Sequence, residues 1–313
     1  MSTPNSELQT EKIQFNAVAR LLAAVAAVST ASIFIRFAQK TYTSLFIAAG
    51  RLGIASLILL PFFVVKWKSV RGKINKGDIR LLILSGVFLA AHFASWIKSL
   101  ELTNVNSSVV LVTTTPLWVS LFSFFLFHER LGRRFYIGLT IAFCGVVLIL
   151  IGGACSFGKV SAGCLSEQIS VNAIPIFRGN LLAVIGAVSA AAYILCGKKV
   201  RKNIDNLSYV FIVYSIASII LTVLCFNLER GITSSLNSDF LWIVLLAVIP
   251  QLIGHTMINK SLGYLPASYV SLSLLGEPVG ATLLAVAILG EIPSGLQILG
   301  SVIVLSGLLL ATW

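Results

Sequence analysis

The sequence predicts an all-α integral membrane protein, with ten transmembrane helices arranged as two inverted five-helix repeats. Three observations carry this expectation. First, the 313-residue chain is 57% hydrophobic and only 11% charged, whereas a soluble domain carries about 25% charged residues. A bilayer is the solvent that suits such a composition. Second, the apolar runs are continuous over roughly 20 residues, the length that crosses a hydrocarbon core about 30 Å thick as a helix. They do not alternate as the strands of a membrane barrel do, and helices satisfy their own backbone hydrogen bonds in lipid. Third, the two halves repeat.

Ten spans are expected at about 17–37, 43–65, 79–99, 105–127, 133–152, 177–197, 207–227, 240–260, 266–289 and 293–312. The organisation that follows is a cytoplasmic polar tail (1–16), a first five-helix repeat (17–152), an extracytoplasmic loop (153–176) and a second repeat (177–313). The repeat itself is visible in residues that hydrophobicity alone does not explain. Pro116 and Pro278 are 162 positions apart, and so are Glu129 and Glu291. At the same offset Lys98-Ser99-Leu100 matches Lys260-Ser261-Leu262, Gly138 matches Gly300 and Gly145 matches Gly307. At an offset of 160, Leu21-Leu22-Ala23 matches Leu181-Leu182-Ala183. Span 1 begins like a signal peptide, with Arg20 ahead of an alanine-rich run. Its counterpart in span 6 argues that it is retained.

Five is odd, so two five-span halves enter the membrane from opposite sides, an architecture common among secondary transporters. Lysine and arginine set the orientation. With the amino terminus inside, 16 of the 23 fall on inner segments, clustered at Lys66 to Arg80, Arg130 to Arg134 and Lys198 to Lys202, and six fall outside. This excess places both termini in the cytoplasm, with the cell (inner) membrane the expected location. It also accounts for the net charge of +12 without nucleic acid as a partner. Cys144, Cys196 and Cys225 fall in apolar segments and are expected as small buried side chains. Cys155 and Cys164 share the outer loop, where a disulfide is one option. No metal-ligand spacing, phosphate loop or nucleophile elbow is present, so neither a metal, a cofactor nor an enzyme is expected.

The candidate pathway consists of polar groups too costly to face lipid. Glu277 stands near the middle of span 9 in Leu-Leu-Gly-Glu-Pro, with Ser273 one turn and Tyr269 two turns earlier on the same face. It is read as a proton- or substrate-binding carboxylate, against the simpler reading of a structural ion pair. Arg51 lies inside span 2 and needs an anion, water or a long reach to the interface. Glu277 and a substrate carboxylate or phosphate are both candidate partners. Span 3 offers His92 and Trp96, and span 8 offers Gln251, His255 and Asn259, each set spaced by four. For both histidines a plain helix–helix hydrogen bond is an equal alternative. Thr115 holds the place in the first half that Glu277 holds in the second, and Tyr193 adds a polar group in span 6. Pro116 and Pro278 remove a backbone donor at matching positions, which bends each helix and releases the carbonyls of Val112 and Leu274. Glu129 and Glu291 read as interfacial caps or ion pairs, and the paired glycines of spans 5 and 10 as close helix contacts.

Three segments carry a family resemblance: Gly50-Arg51-Leu52; the run from Trp96 through Ser99-Leu100, Asn106-Ser107-Ser108 and Thr114-Thr115-Pro116 to His128-Glu129-Arg130-Leu131 and Gly138; and Leu265-Pro266-Ala267-Ser268 through Glu277-Pro278 to Gly290-Glu291 and Gly300. In this order and in both halves they resemble the drug/metabolite transporter superfamily, specifically its ten-helix permeases with two EamA domains. The resemblance implies a central cavity between the halves, lined by spans 3, 4, 8 and 9. It implies alternating access, with export of a small organic solute such as an amino acid, metabolite or drug; protons are a candidate coupling ion because of Glu277 itself. Only Arg51, Glu277 and Pro278 are carried over as motif positions. Because Thr115-Pro116 replaces a second Glu-Pro, a symmetric two-carboxylate mechanism is not expected. The alternatives are a carrier of nucleotide sugars or lipid-linked sugars, and a membrane scaffold or sensor that transports nothing.

Overall fold

The computed structural model describes residues 19–127, 132–154, 173–201, 203–229, 237–255, 257–258 and 274–312. Every regular element among them is helical. Seven helices are long and apolar enough to cross a membrane: α1 (Ala19–Ala38), α2 (Ser44–Arg71), α3 (Lys76–Leu102), α4 (Val105–Phe125), α5 (Arg133–Ala154), α6 (Ala173–Val200) and α7 (Asn206–Leu228). Three shorter apolar helices follow: α8 (Phe240–Gly254), α9 (Gly276–Leu289) and α10 (Gly295–Thr312). Residues 256, 259–260 and 266–273 of the spans expected at 240–260 and 266–289 lie outside the described residues, as do the polar tail and Cys155, Cys164 and Glu129.

Helix ends follow local chemistry. Asn75 Oδ1 accepts from the Asp78 amide at 2.8 Å and Asp78 Oδ2 accepts from the Asn75 amide at 3.2 Å, a reciprocal cap that starts α3. Asn104 caps α4 through the Ser107 amide at 2.8 Å, and Asp205 caps α7 through Ser208. Gly290 closes α9 in the left-handed region at φ 68°, which a side chain would resist. α2 runs well past its expected end at 65. Its 28 residues measure about 42 Å, so Lys66, Lys68 and Arg71 stand beyond a hydrocarbon core.

The molecule is apolar on the outside as well as within. Val65 is 84% exposed, Phe143 66% and Ile219 64%, a surface suited to lipid tails rather than water. Cys144 is exposed on this outer face, and Cys196 is partly exposed, so of the three described cysteines only Cys225 is the buried side chain expected. A thiol tolerates lipid as a small apolar group does, and nothing therefore forces it inward.

Helix pairing connects the two ends of the chain. α5 packs on α10, α3 on α6, α2 on α7, α1 on α8 and α4 on α9. α5 and α10 run antiparallel at backbone contact. A Cβ on Gly138 would meet the Gly307 carbonyl, and a Cβ on Gly145 would lie 2.7 Å from the Gly300 carbonyl and the Val304 amide nitrogen. Because backbone cannot step aside as a side chain can, Gly145→Ala should destabilise the protein by about 1–3 kcal/mol. Gly72, with nothing within 4 Å of a Cβ, is the matched control. The measurement is the thermal unfolding midpoint of each variant in detergent. Equal midpoints for Gly145→Ala and Gly72→Ala would remove the close-contact argument.

Candidate functional site

α4 is interrupted one turn ahead of Pro116, at Thr113-Thr114, and a turn at Leu275 precedes α9, three residues ahead of Pro278. At the first break the threonines take over the loose carbonyls. Thr115 Oγ1 donates to the Val112 carbonyl at 2.8 Å, Thr113 Oγ1 to Val109 at 2.6 Å and Thr114 Oγ1 to Leu111 at 2.7 Å. The Val112 carbonyl released by Pro116 is therefore satisfied by its own helix. α8 contains a different irregularity. From Ala247 to Gly254 it is a π-helix with Pro250 inside, and such wide turns often accompany functional sites.

These irregular segments surround a cavity of about 560 Å³, within the range of small-molecule sites. Of the sequence-derived candidates, Arg51, His92, Trp96, Thr115, Pro116, Tyr193, Gln251, His255 and Glu277 all line it. Pro278 is buried beside it. Asn259 and Ser273 lie outside the described residues. The cavity also takes in Phe93, Tyr209 and Tyr214, which sequence reasoning missed. The available signal was a tyrosine hydroxyl well inside an apolar span, at Tyr214 of α7.

Arg51 is 2% exposed and does not reach for the interface. Its Nε donates to Gln251 Oε1 at 2.7 Å, and its guanidinium carbon lies 4.4 Å from the centre of the Phe93 ring and 5.8 Å from that of Trp96. Such cation–aromatic contacts are strongest where water is excluded. Glu277 is not within 4.0 Å of Arg51: the three ion pairs among the described residues lie elsewhere. The two charges nevertheless act on each other electrostatically. α1 helps to hold Glu277 in place. Ser29 Oγ donates to its backbone carbonyl at 3.2 Å, and Gly280 leaves no room for a Cβ beside Ser29.

His92 does both things open to it. Its Nδ1 bonds the Gly186 carbonyl of α6 at 2.9 Å while the ring lines the cavity. A carbonyl only accepts, so Nδ1 carries the proton and Nε2 is left as the free ring nitrogen. On the neighbouring wall Tyr193 and Tyr209 stack at 6.1 Å, and Ser85 bonds the Tyr209 hydroxyl at 2.6 Å.

The two ends of the cavity differ. Toward one end it reaches Asn206 and the exposed Arg201. Toward the other, a lattice joins four chain segments. Arg36 of α1 pairs with Glu291 after α9 and donates to the Leu100 carbonyl of α3 at 2.7 Å, while Glu291 Oε2 accepts from the Val105 amide of α4 at 2.9 Å. Asn104 and Ser107 bond Gln297, and Asn106 bonds Ser301 and Thr282, tying α4 to α9 and α10. No residue of this lattice lines the cavity.

Comparison with known proteins places this arrangement. The model of the EamA-like transporter family matches the chain twice, over residues 16–151 and 177–313. The chain belongs to the EamA-like transporter family. An uncharacterized transporter of Bacillus subtilis, YdfC, is 26% identical over 87% of this chain and 83% of its own. An uncharacterized transporter of Archaeoglobus fulgidus is 24% identical over 96% of this chain and 97% of its own. A crystal structure at 21% identity superposes with a TM-score of 0.61 and covers 95% of this chain and 96% of that one, a likeness of fold. As a member of the EamA-like family the protein is a multi-pass membrane protein and a membrane transporter.

Proposed function

We propose that this protein is a secondary active transporter that exports a small organic solute by alternating access and couples the movement to protons through Glu277. The observation that carries the proposal is the cavity itself: 560 Å³, enclosing Glu277 and Arg51, extended to one end of the bundle and separated from the other by the Arg36–Glu291 lattice. A scaffold or sensor would be expected to pair off its polar stripes and leave no such space.

The architecture behind this reading is ten helices in two inverted repeats. The helix pairing supports it. Adding five to, or subtracting five from, each helix number carries the pair α1–α8 into α6–α3 and returns α2–α7, α4–α9 and α5–α10 to themselves. The glycine contacts obey the same exchange, since Gly138 corresponds to Gly300 and Gly145 to Gly307, so Gly138–Gly307 becomes Gly300–Gly145. A two-fold axis in the membrane plane has this consequence, and rocking of one repeat against the other is how such folds alternate access. The positive-inside distribution supports cytoplasmic termini in a cell (inner) membrane, which puts the Arg201 end of the cavity on the cytoplasmic side.

Proton coupling requires Glu277 to change protonation as the cavity changes face. The solute is first found by comparing the metabolites of cells with and without the protein. Its transport is then measured in proteoliposomes under an imposed pH gradient. Glu277→Gln keeps the shape and removes the titration, and should lower pH-driven transport by roughly tenfold or more. If that variant transports normally and remains driven by pH, Glu277 is not the coupling group.

A further inference from the structure

We infer that the solute presents a carboxylate to Arg51 and Trp96, whose N–H groups form an anion-docking corner in the cavity. The inference rests on the transporter reading and adds to it which chemical group docks where. Its basis is a mismatch in hydrogen bonding. Arg51 Nη1 and Trp96 Nε1 are both buried and, among the described residues, both lack a partner. Both are donors, both belong to residues lining the cavity, and they lie close together. Buried polar groups are almost always paired, so two unpaired donors of the same kind in one corner point to an acceptor that arrives from outside.

The neighbouring acceptors are already committed. Gln251 Oε1 takes the Arg51 Nε proton, and the Gly186 carbonyl takes that of His92. Glu277 does not come within ion-pair distance of Arg51. The Gln251 bond and the Phe93 ring hold the guanidinium in place from one side. Its Nη1 is thus left to meet an oxyanion alongside the Trp96 N–H, by a charge-assisted hydrogen bond. Charge selects among oxyanions. Arg51 shares the cavity with Glu277, and the other cationic side chain lining it, Arg201, stands at the exposed end. Where Glu277 is protonated, the single guanidinium balances a monoanion, whereas a phosphate dianion leaves an excess negative charge in the cavity. The rest of the lining, with Phe93, Tyr193, Val112 and Leu275, suits an apolar or aromatic body.

The test uses the purified full-length protein in detergent and follows its unfolding temperature with benzoate, phenyl phosphate, benzamide and benzylamine as probes. Benzoate should raise the midpoint in a saturable way, phenyl phosphate less, and benzamide and benzylamine little. Trp96→Phe keeps an aromatic ring while removing the N–H together with the second ring, and it remains informative where Arg51→Gln fails to fold. It should raise the half-saturating benzoate concentration roughly tenfold, the weight of one charge-assisted bond. Three results would each overturn the inference: no stabilisation by benzoate, equal stabilisation by benzamide, or an unchanged benzoate midpoint in Trp96→Phe. The second would mean that a neutral carbonyl serves the donors as well as a carboxylate, and the third that the Trp96 N–H takes no part in docking. A failed probe series alongside intact pH-driven transport removes the docking mode and leaves the transporter reading in place. A carboxylate site in a protein that moves no solute does the reverse.

Discussion

Arg51→Leu and Glu277→Leu should each lower the stability of the protein markedly, and combining them should give back part of the loss. The reason is that the two charges act on each other inside a largely neutral region. Removing Arg51 also strips Gln251 Oε1 of its donor and leaves the Phe93 face bare. Removing Glu277 leaves a guanidinium that is 2% exposed with no anion near it. Breaking a buried pair from one side costs about 3–5 kcal/mol. The low end applies here, because the two groups are not in contact and the half-buried Glu277 faces the cavity. Groups that interact directly or through shared partners show coupling energies of about 0.5–3 kcal/mol. The unfolding midpoints of wild type, both single variants and the double variant complete the cycle. Strict additivity would mean that the two charges are independent, and that Arg51 is held by Gln251 and the aromatic rings alone.

The second large effect is expected at the Arg36 end. Glu291→Gln weakens the ion pair to Arg36 and the bond from the Val105 amide together. Hydrogen bonds to charged groups contribute about 1.5–3 kcal/mol each. Arg36 and Glu291 are 28% and 18% exposed, so solvent screening reduces that figure. A shift of about 1.4 kcal/mol between the closed and open states changes their ratio tenfold. The readout is a single cysteine in the cavity, Thr115→Cys, in a background without the five native cysteines. A membrane-impermeant maleimide applied from the Arg36 face should label it roughly tenfold faster in the Glu291→Gln protein, with no matching gain from the Arg201 face. Unchanged labelling from the Arg36 face would show that the lattice does not close that end. Faster labelling from both faces would show only a general loosening.

Much of the candidate site was legible because the bilayer makes certain residues conspicuous. Glu277, Arg51, His92, Gln251 and His255 are expensive in lipid wherever they fall in an apolar run, and that cost needs no knowledge of neighbours. All five line one cavity. The aromatic members were harder to see. Phe93 is as much at home facing lipid as facing a guanidinium, and only its position beneath Arg51 distinguishes it. Tyr209 and Tyr214 carried a hydroxyl as a signal, weaker than a charge. The expectation that Pro116 would bare a carbonyl to the cavity also missed a tertiary detail within reach of the chain, since Thr115 turns its own hydroxyl back onto Val112.

The sequence by itself determined the solvent, the helical class, the doubling of the family unit and the short set of polar residues that must avoid lipid. These are properties of composition and of order along the chain, and each residue contributes without reference to any distant one. The tertiary structure alone decided the partners. Arg51 meets Gln251 and Phe93 rather than Glu277, and Glu291 meets Arg36 across 255 positions of sequence. It also decided that the described cavity reaches Arg201 and stops short of Arg36. The physical reason is rotational. In helices apolar nearly all the way round, hydrophobicity does not mark which face turns inward. The azimuth is set by glycine contacts, proline breaks and hydrogen bonds between helices far apart in the chain, and these exist only once the bundle has packed.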